Sequence, residues 1–186
     1  MIMPPPVRKA VLSVHLTVSV GWIGTVLAYL ALGVTAVTSR QVQTVRAAWT
    51  AMELIGWTVI VPLAVASLIT GLVMSIGTRW GLFKHYWVLF SFVLTLFSTV
   101  ILIVHMFDIS TLADIARQAD AAELATLGGD LGHPGIGLVV LLVVQVLNIY
   151  KPKGMTRHGQ RMLGRQRLAQ REQPMNTLPG VEDAHR

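Results

Sequence analysis

Six histidines, and no cysteine, carry whatever metal- or haem-ligating capacity this chain has. Four of them, His15, His85, His105 and His133, lie in or beside long uncharged apolar runs, whereas His158 and His185 fall in a basic C-terminal stretch and read as solvated. Imidazole nitrogens ligate copper and the iron of a b-type haem, and one ion needs its ligands at one depth. Helical rise puts His15 ~6 Å into the first run and His105 ~28 Å from the same face. Those two cannot share an iron. His105 with His133 share a depth, and His15 with His85 do so more loosely, so these are the pairs that could hold haem b or copper. Without an occupant they are interfacial side chains that water hydrates readily.

The elements that must position these residues are plain. No Asp, Glu, Lys or Arg occurs from Val11 to Ser39, Leu54 to Thr78, Tyr86 to Phe107 or Leu131 to Tyr150. About twenty such residues at 1.5 Å rise cross the hydrocarbon of a bilayer. Only 13% of the 186 residues are charged and 53% are hydrophobic, against about 25% charged in a soluble domain. A soluble bundle would need amphipathic helices, and the first three runs offer no strongly polar face. The first run is also too long for a signal-peptide core and reads as a retained signal anchor.

Charge sets the expected orientation. Arg8, Lys9, Arg79, Lys84, Lys151, Lys153, Arg157, Arg161, Arg165, Arg167, Arg171 and Arg186 fall on one side of four spans; only Arg40, Arg46 and Arg117 fall on the other. The positive-inside rule then places both termini in the cytoplasm. The third loop, outside, is acidic, with Asp108, Asp114, Asp120, Glu123 and Asp130. Ser110 is a candidate cap for a helix from Thr111 to Leu127, with Gly128-Gly129 as its stop. That helix is expected to lie over the outer ends of the bundle as a packing cover or a lid. The expected fold is all-α: a polytopic membrane four-helix bundle, with a surface helix in the third loop and a basic cytoplasmic tail. The four-span domain takes residues 1–150 and the tail takes 151–186.

Within the spans several marks predict contacts. Pro4-Pro5-Pro6 should keep the N-terminus extended, and Pro62 should bend the second span and free the carbonyl of Thr58. Ser67, Gly71 and Ser75 recur every four residues, a small-residue ridge on which another helix can approach closely. His15, Trp22 and Tyr29 are spaced by seven, with Ser19 between the first two; Ser91, Ser98 and His105 repeat the spacing, with Thr95 alongside. Polar side chains in a bilayer turn toward other helices. Both stripes are therefore expected at helix interfaces or lining a pocket for a cofactor or lipid. Trp49, Trp57, Trp80, Tyr86, Trp87 and Tyr150 mark span ends, where amphipathic rings favour the headgroup level.

Catalytic groups are not evident: there is no phosphate-binding loop, no H-E-x-x-H helix and no acid chain inside the spans for a proton relay. Gly128-Gly129-Asp130-Leu131-Gly132 does not follow a strand, which removes a phosphate-loop reading. The tail residues Lys151, Lys153, Arg157, Arg161, Arg165, Arg167 and Arg171 suit an anionic lipid surface or a protein partner. Stacking aromatics are missing there, so a nucleic acid is not the expected partner.

Two stretches carry a resemblance. Asn148-Ile-Tyr-Lys-Pro-Lys-Gly-Met-Thr-Arg-His-Gly159, and Gly81-Leu-Phe-Lys-His-Tyr-Trp87 with Ile-Val-His105-Met106, are similar to segments of an uncharacterised family of four-span integral membrane proteins of actinobacterial type. His15, Trp22 and Gly24 also resemble the first-span pattern of CopD-like copper proteins and HemJ-like haem proteins, which would make His15 a ligand. The resemblance implies the bacterial cytoplasmic membrane as location. The reading the residues favour is a non-catalytic accessory or small-molecule-binding bundle. The alternatives are a haem b- or copper-binding redox protein using paired histidines, and a transporter or channel that would have to be a homo-oligomer.

Overall fold

A computed structural model describes residues 3–77, 82–152, 154–157, 159–162, 164 and 168. Among the described residues the bounded α-helices are α1 Pro5–Thr38, α2 Val42–Ile55, α3 Val61–Gly77, α4 Tyr86–Gln118, α5 Ala121–Thr126 and α6 Gly132–Tyr150. A π-helical turn, Gly56–Ile60, joins α2 to α3 without a break, so Val42–Gly77 is one long rod. With α1, α4 and α6 it makes four helices long and apolar enough to cross a membrane, the architecture of a multi-pass membrane protein. Helix is the one open-ended conformation that satisfies every backbone group without water, which is why uncharged runs of this length fold so.

Three of the four rods overshoot a bilayer. At 1.5 Å per residue α1, the α2–α3 rod and α4 each reach ~50 Å, against ~30 Å of hydrocarbon. The overshoot corrects several boundaries. The proline run does not hold the N-terminus extended: α1 starts at Pro5, with Pro5 and Pro6 in its first turn, where a missing N–H costs nothing. The loop between the first two spans shrinks to residues 39–41, with Ser39 Oγ accepting from the Gln41 N–H at 3.2 Å.

The third-loop helix expected from Thr111 to Leu127 is split: its first part, to Gln118, is the end of α4, and α5 takes the rest. No residue in that first part breaks a helix, and Ile109, Ala113 and Ala116 form a buried face that packs on α2. Ser110 does not cap; its Oγ accepts from Trp57 Nε1 at 2.9 Å. The chain turns only at Ala119, whose ψ of 143° ends the helix. Asp120 then caps the short α5 by accepting from the Glu123 N–H at 2.8 Å. Leu124 buries α5 against the bundle, so the surface helix is a six-residue packing cover.

Pro62 sits just after the π turn. Proline lacks the N–H that would have bonded the carbonyl of Thr58, and the wide turn, closed by Val61 N–H to Gly56 O, takes up the change of register. Gly56 is buried here, and Met106 of α4 fills the space where a Cβ would stand.

The core is built from Trp22, Val26 and Tyr29 of α1, Trp49 and Met52 of α2, Ile60 and Ala64 of the rod's middle, and Met106 and Ile109 of α4. Trp49, placed at a span end by the sequence, is 1% exposed, because α2 extends far enough to carry it inward. The outer faces are apolar: Val20, Leu27, Phe97, Val104, Val139 and Val146 are all exposed, as lipid contact requires. On α6 only Leu141 is buried, and this helix leans on α4 and α1 from the side.

At the opposite end from α5, the chain after α6 folds back. Lys151 takes a left-handed φ of 44°, and Met155 then pairs with the His85 backbone. Thr156 donates its N–H to Lys84 O at 2.9 Å and its hydroxyl to Phe83 O.

Candidate metal centre

The glycine-rich loop before α6 is delivered by close backbone packing. Gly128 has a φ of 63°, the left-handed region that glycine enters freely. A Cβ on Gly129 would stand 2.6 Å from Gly33 O, and one on Gly33 would stand 2.7 Å from Asp130 O. Only glycines at both positions let this loop lie directly on α1. The contact drives Asp130 into the bundle end, where its side chain is 8% exposed.

A buried carboxylate is costly unless its oxygens are occupied. Asp130 Oδ2 accepts from Tyr29 OH at 3.0 Å and meets His105 Nε2 at 2.8 Å. Its other oxygen lies 3.9 Å from Nδ1 of His133, three residues later on the first turn of α6. The His105 and His133 rings stack with centroids 4.0 Å apart and planes 24° from parallel. Asp108 Oδ2, on the exposed side, is 4.0 Å from His105 Nδ1. One atom each from His105, Asp130 and His133 fall within 4.8 Å of one another. Two imidazoles and one carboxylate are a donor set for a zinc, copper or ferrous ion. Tyr29 would stand behind the carboxylate and orient it.

A haem does not fit these side chains. Two imidazoles on one haem iron approach from opposite faces of the macrocycle. Rings stacked at 4.0 Å leave no layer for it. A bare ion needs no such layer.

The second histidine pair has other company. His15 Nδ1 bonds Thr70 Oγ1 at 2.9 Å, and its ring covers Gly71, where a Cβ would stand 3.3 Å from His15 Cε1. One helical turn on, Ser19 and Ser67 hydroxyls meet at 2.8 Å. Ser67 and Ser75 are both buried. The lower half of the His15–Trp22–Tyr29 stripe thus faces the Ser67–Gly71 ridge across α1 and α3, while its upper end, Tyr29, enters the Asp130 site. His85 stands before α4, its backbone paired with Met155.

Around the site the helix overhangs are tied by charge. Arg117 pairs with Glu53 of α2 and with Asp114. Arg46 donates Nε to Ala116 O at 3.0 Å and Nη2 to Ala119 O at 2.9 Å, closing the end of α4. Of the basic tail, Lys151, Arg157 and Arg161 are exposed; Lys153, Arg165, Arg167 and Arg171 lie outside the described residues, as do Arg79 and Trp80.

Sequence reasoning passed over Asp130 and Tyr29 as site residues. Asp130 carried one signal, its D-x-x-H spacing from His133, which puts a carboxylate and an imidazole one turn apart. Tyr29 carried only its place in a polar stripe. Comparison of the chain with protein-family models, curated proteins and solved structures finds no match.

Proposed function

We propose that this chain is a membrane-embedded ion-binding bundle that holds one divalent transition-metal ion at His105, Asp130 and His133. The observation that carries this reading is the convergence of those three side chains from α4, the 128–131 loop and α6, with their ligand atoms within 4.8 Å. The bound ion would replace the proton that His105 Nε2 and Asp130 share, and His133, 63% exposed, would close over it from the solvent side. With the basic residues on the cytoplasmic side, the site opens on the outer face of a bacterial cytoplasmic membrane. The role is then that of an accessory or ion-binding subunit rather than an enzyme.

Titration of the purified chain with Zn²⁺ and with Cu²⁺ tests the reading. One ion per chain is expected, lost in His133→Ala and in Asp130→Asn. Binding that survives both substitutions refutes the site. Protons compete with the ion for imidazole, so affinity should fall as the pH is lowered. Cysteines introduced singly at Thr126 and Gln173 test the orientation: the first should label from outside intact cells and the second should not.

A further inference from the structure

His105 turns each of its ring nitrogens toward a carboxylate. Nε2 meets Asp130 Oδ2 at 2.8 Å, and Nδ1 lies 4.0 Å from Asp108 Oδ2. Asp130 is brought in by the 128–131 loop, whereas Asp108 stands on α4 itself, three residues beyond His105. Residues so spaced share a face of a helix, so α4 alone fixes that second pair. The two carboxylates live in different surroundings. Asp130 is 8% exposed and also holds Tyr29. Asp108 is 76% exposed, and among the described residues it has no hydrogen bond and no other ion pair.

An imidazole ligates through a nitrogen that carries no proton, and the single N–H of the neutral ring must then sit on the other nitrogen. Nε2 is the nitrogen that faces Asp130 and therefore the ion. The N–H is left on Nδ1, directed at Asp108. A neutral ring with its proton on Nε2 would show Asp108 a lone pair, which a carboxylate repels; with an ion on Nε2 it shows an N–H, which a carboxylate accepts. A hydrogen bond needs about 2.7–3.2 Å between nitrogen and oxygen. The gap to close is ~1 Å, less than a change of rotamer moves an exposed aspartate carboxylate.

We propose that Asp108 is a positioning residue for the ion site: it accepts the Nδ1–H of His105 when an ion occupies Nε2, and so fixes the ring's tautomer and the direction of its lone pair. The inference rests on the ion-binding reading of His105, Asp130 and His133. A carboxylate behind a ligating imidazole strengthens its donation to the metal, and loss of such a group typically costs about 10–100-fold in affinity.

Calorimetric titration of the full chain in detergent with Zn²⁺, paired with NMR of isotope-labelled histidine, tests it. Asp108→Ala should weaken Zn²⁺ binding about tenfold, and Asp108→Glu, which keeps a carboxylate in reach, should recover most of that loss. Glu123→Gln removes an exposed acidic charge from α5 and should leave the affinity unchanged, which separates a specific contact from the general pull of negative charge. In the Zn²⁺-loaded unsubstituted chain the His105 signal, identified by its loss in His105→Gln, should show the N–H on Nδ1 shifted downfield by the carboxylate. In Asp108→Ala that signal should move upfield, while the melting temperature of the metal-free protein stays the same. Unchanged affinity in Asp108→Ala overturns the proposal, and so does equal weakening by Glu123→Gln. A failure of the unsubstituted chain to bind Zn²⁺ overturns the ion site itself and this role with it, so the two failures are told apart.

Discussion

His15 and His105 are both half-buried histidines in long apolar helices, yet their surroundings differ in kind. His15 meets one hydroxyl, Thr70, and its ring edge comes up against Gly71. His105 meets a carboxylate that is already holding a tyrosine, and a second imidazole is stacked against it. A hydroxyl satisfies one ring nitrogen and fixes a helix contact. A carboxylate with two imidazoles concentrates several lone pairs in one place, more than packing needs. The contrast separates a histidine that glues helices from one able to ligate.

Removing Asp130 should break that contrast most severely. Asp130→Leu strips the acceptor from Tyr29 OH and from His105 at once, a loss of about 3 kcal/mol in a buried site. The detergent melting temperature should fall sharply, and added Zn²⁺ should no longer raise it. If Zn²⁺ still stabilises the variant, the ion sits elsewhere.

The two glycines supply a second comparison. On Gly33 a Cβ would meet the Asp130 backbone at 2.7 Å, whereas on Gly71 it would meet the tip of the His15 ring at 3.3 Å. Backbone pinned by a loop cannot yield as a side chain can. Gly33→Ala should therefore cost about 1–3 kcal/mol and weaken ion binding, with Gly71→Ala costing less than about 1 kcal/mol and leaving binding intact. Equal melting temperatures for the two variants would mean that the 128–131 loop is not held on α1.

Tyr29→Phe should leave the fold standing and lower metal affinity about tenfold, the usual consequence of losing a group that orients a ligand. Calorimetric titration against the unsubstituted chain measures it. The smallest effect is expected at Thr70→Val. Hydroxyl bonds between membrane helices average about 0.6 kcal/mol, and metal affinity should not change. A tenfold loss there would tie His15 to the ion site after all.

Much of the frame follows from composition. A run of twenty or more uncharged residues has no stable alternative in lipid to a spanning helix, so four spans were legible without any contact information. The reach of those helices was not. The charges that mark where hydrocarbon ends do not interrupt a helix, and α2 and α4 ran on until Gln41 and Ala119 stopped them. Side-chain packing between the overhangs, Trp57 on Ser110 and Arg46 on the end of α4, rewards that extension.

The histidine site divides the same way. Rise per residue is a one-dimensional ruler, and it assigns His105 and His133 a common depth from the sequence alone. Which helices stand beside each other, and which way each face turns, is set by close contacts between residues distant in the chain. Gly33 against Gly129 is such a contact. It admits a loop that a methyl group on either glycine would exclude, and that loop carries Asp130 to Tyr29 and His105. The sequence by itself determined the four spans and the common depth of His105 and His133. Tertiary structure alone decided that a carboxylate and a tyrosine join those two, because that depends on two helix surfaces meeting within atomic distance, and no local pattern encodes such a meeting.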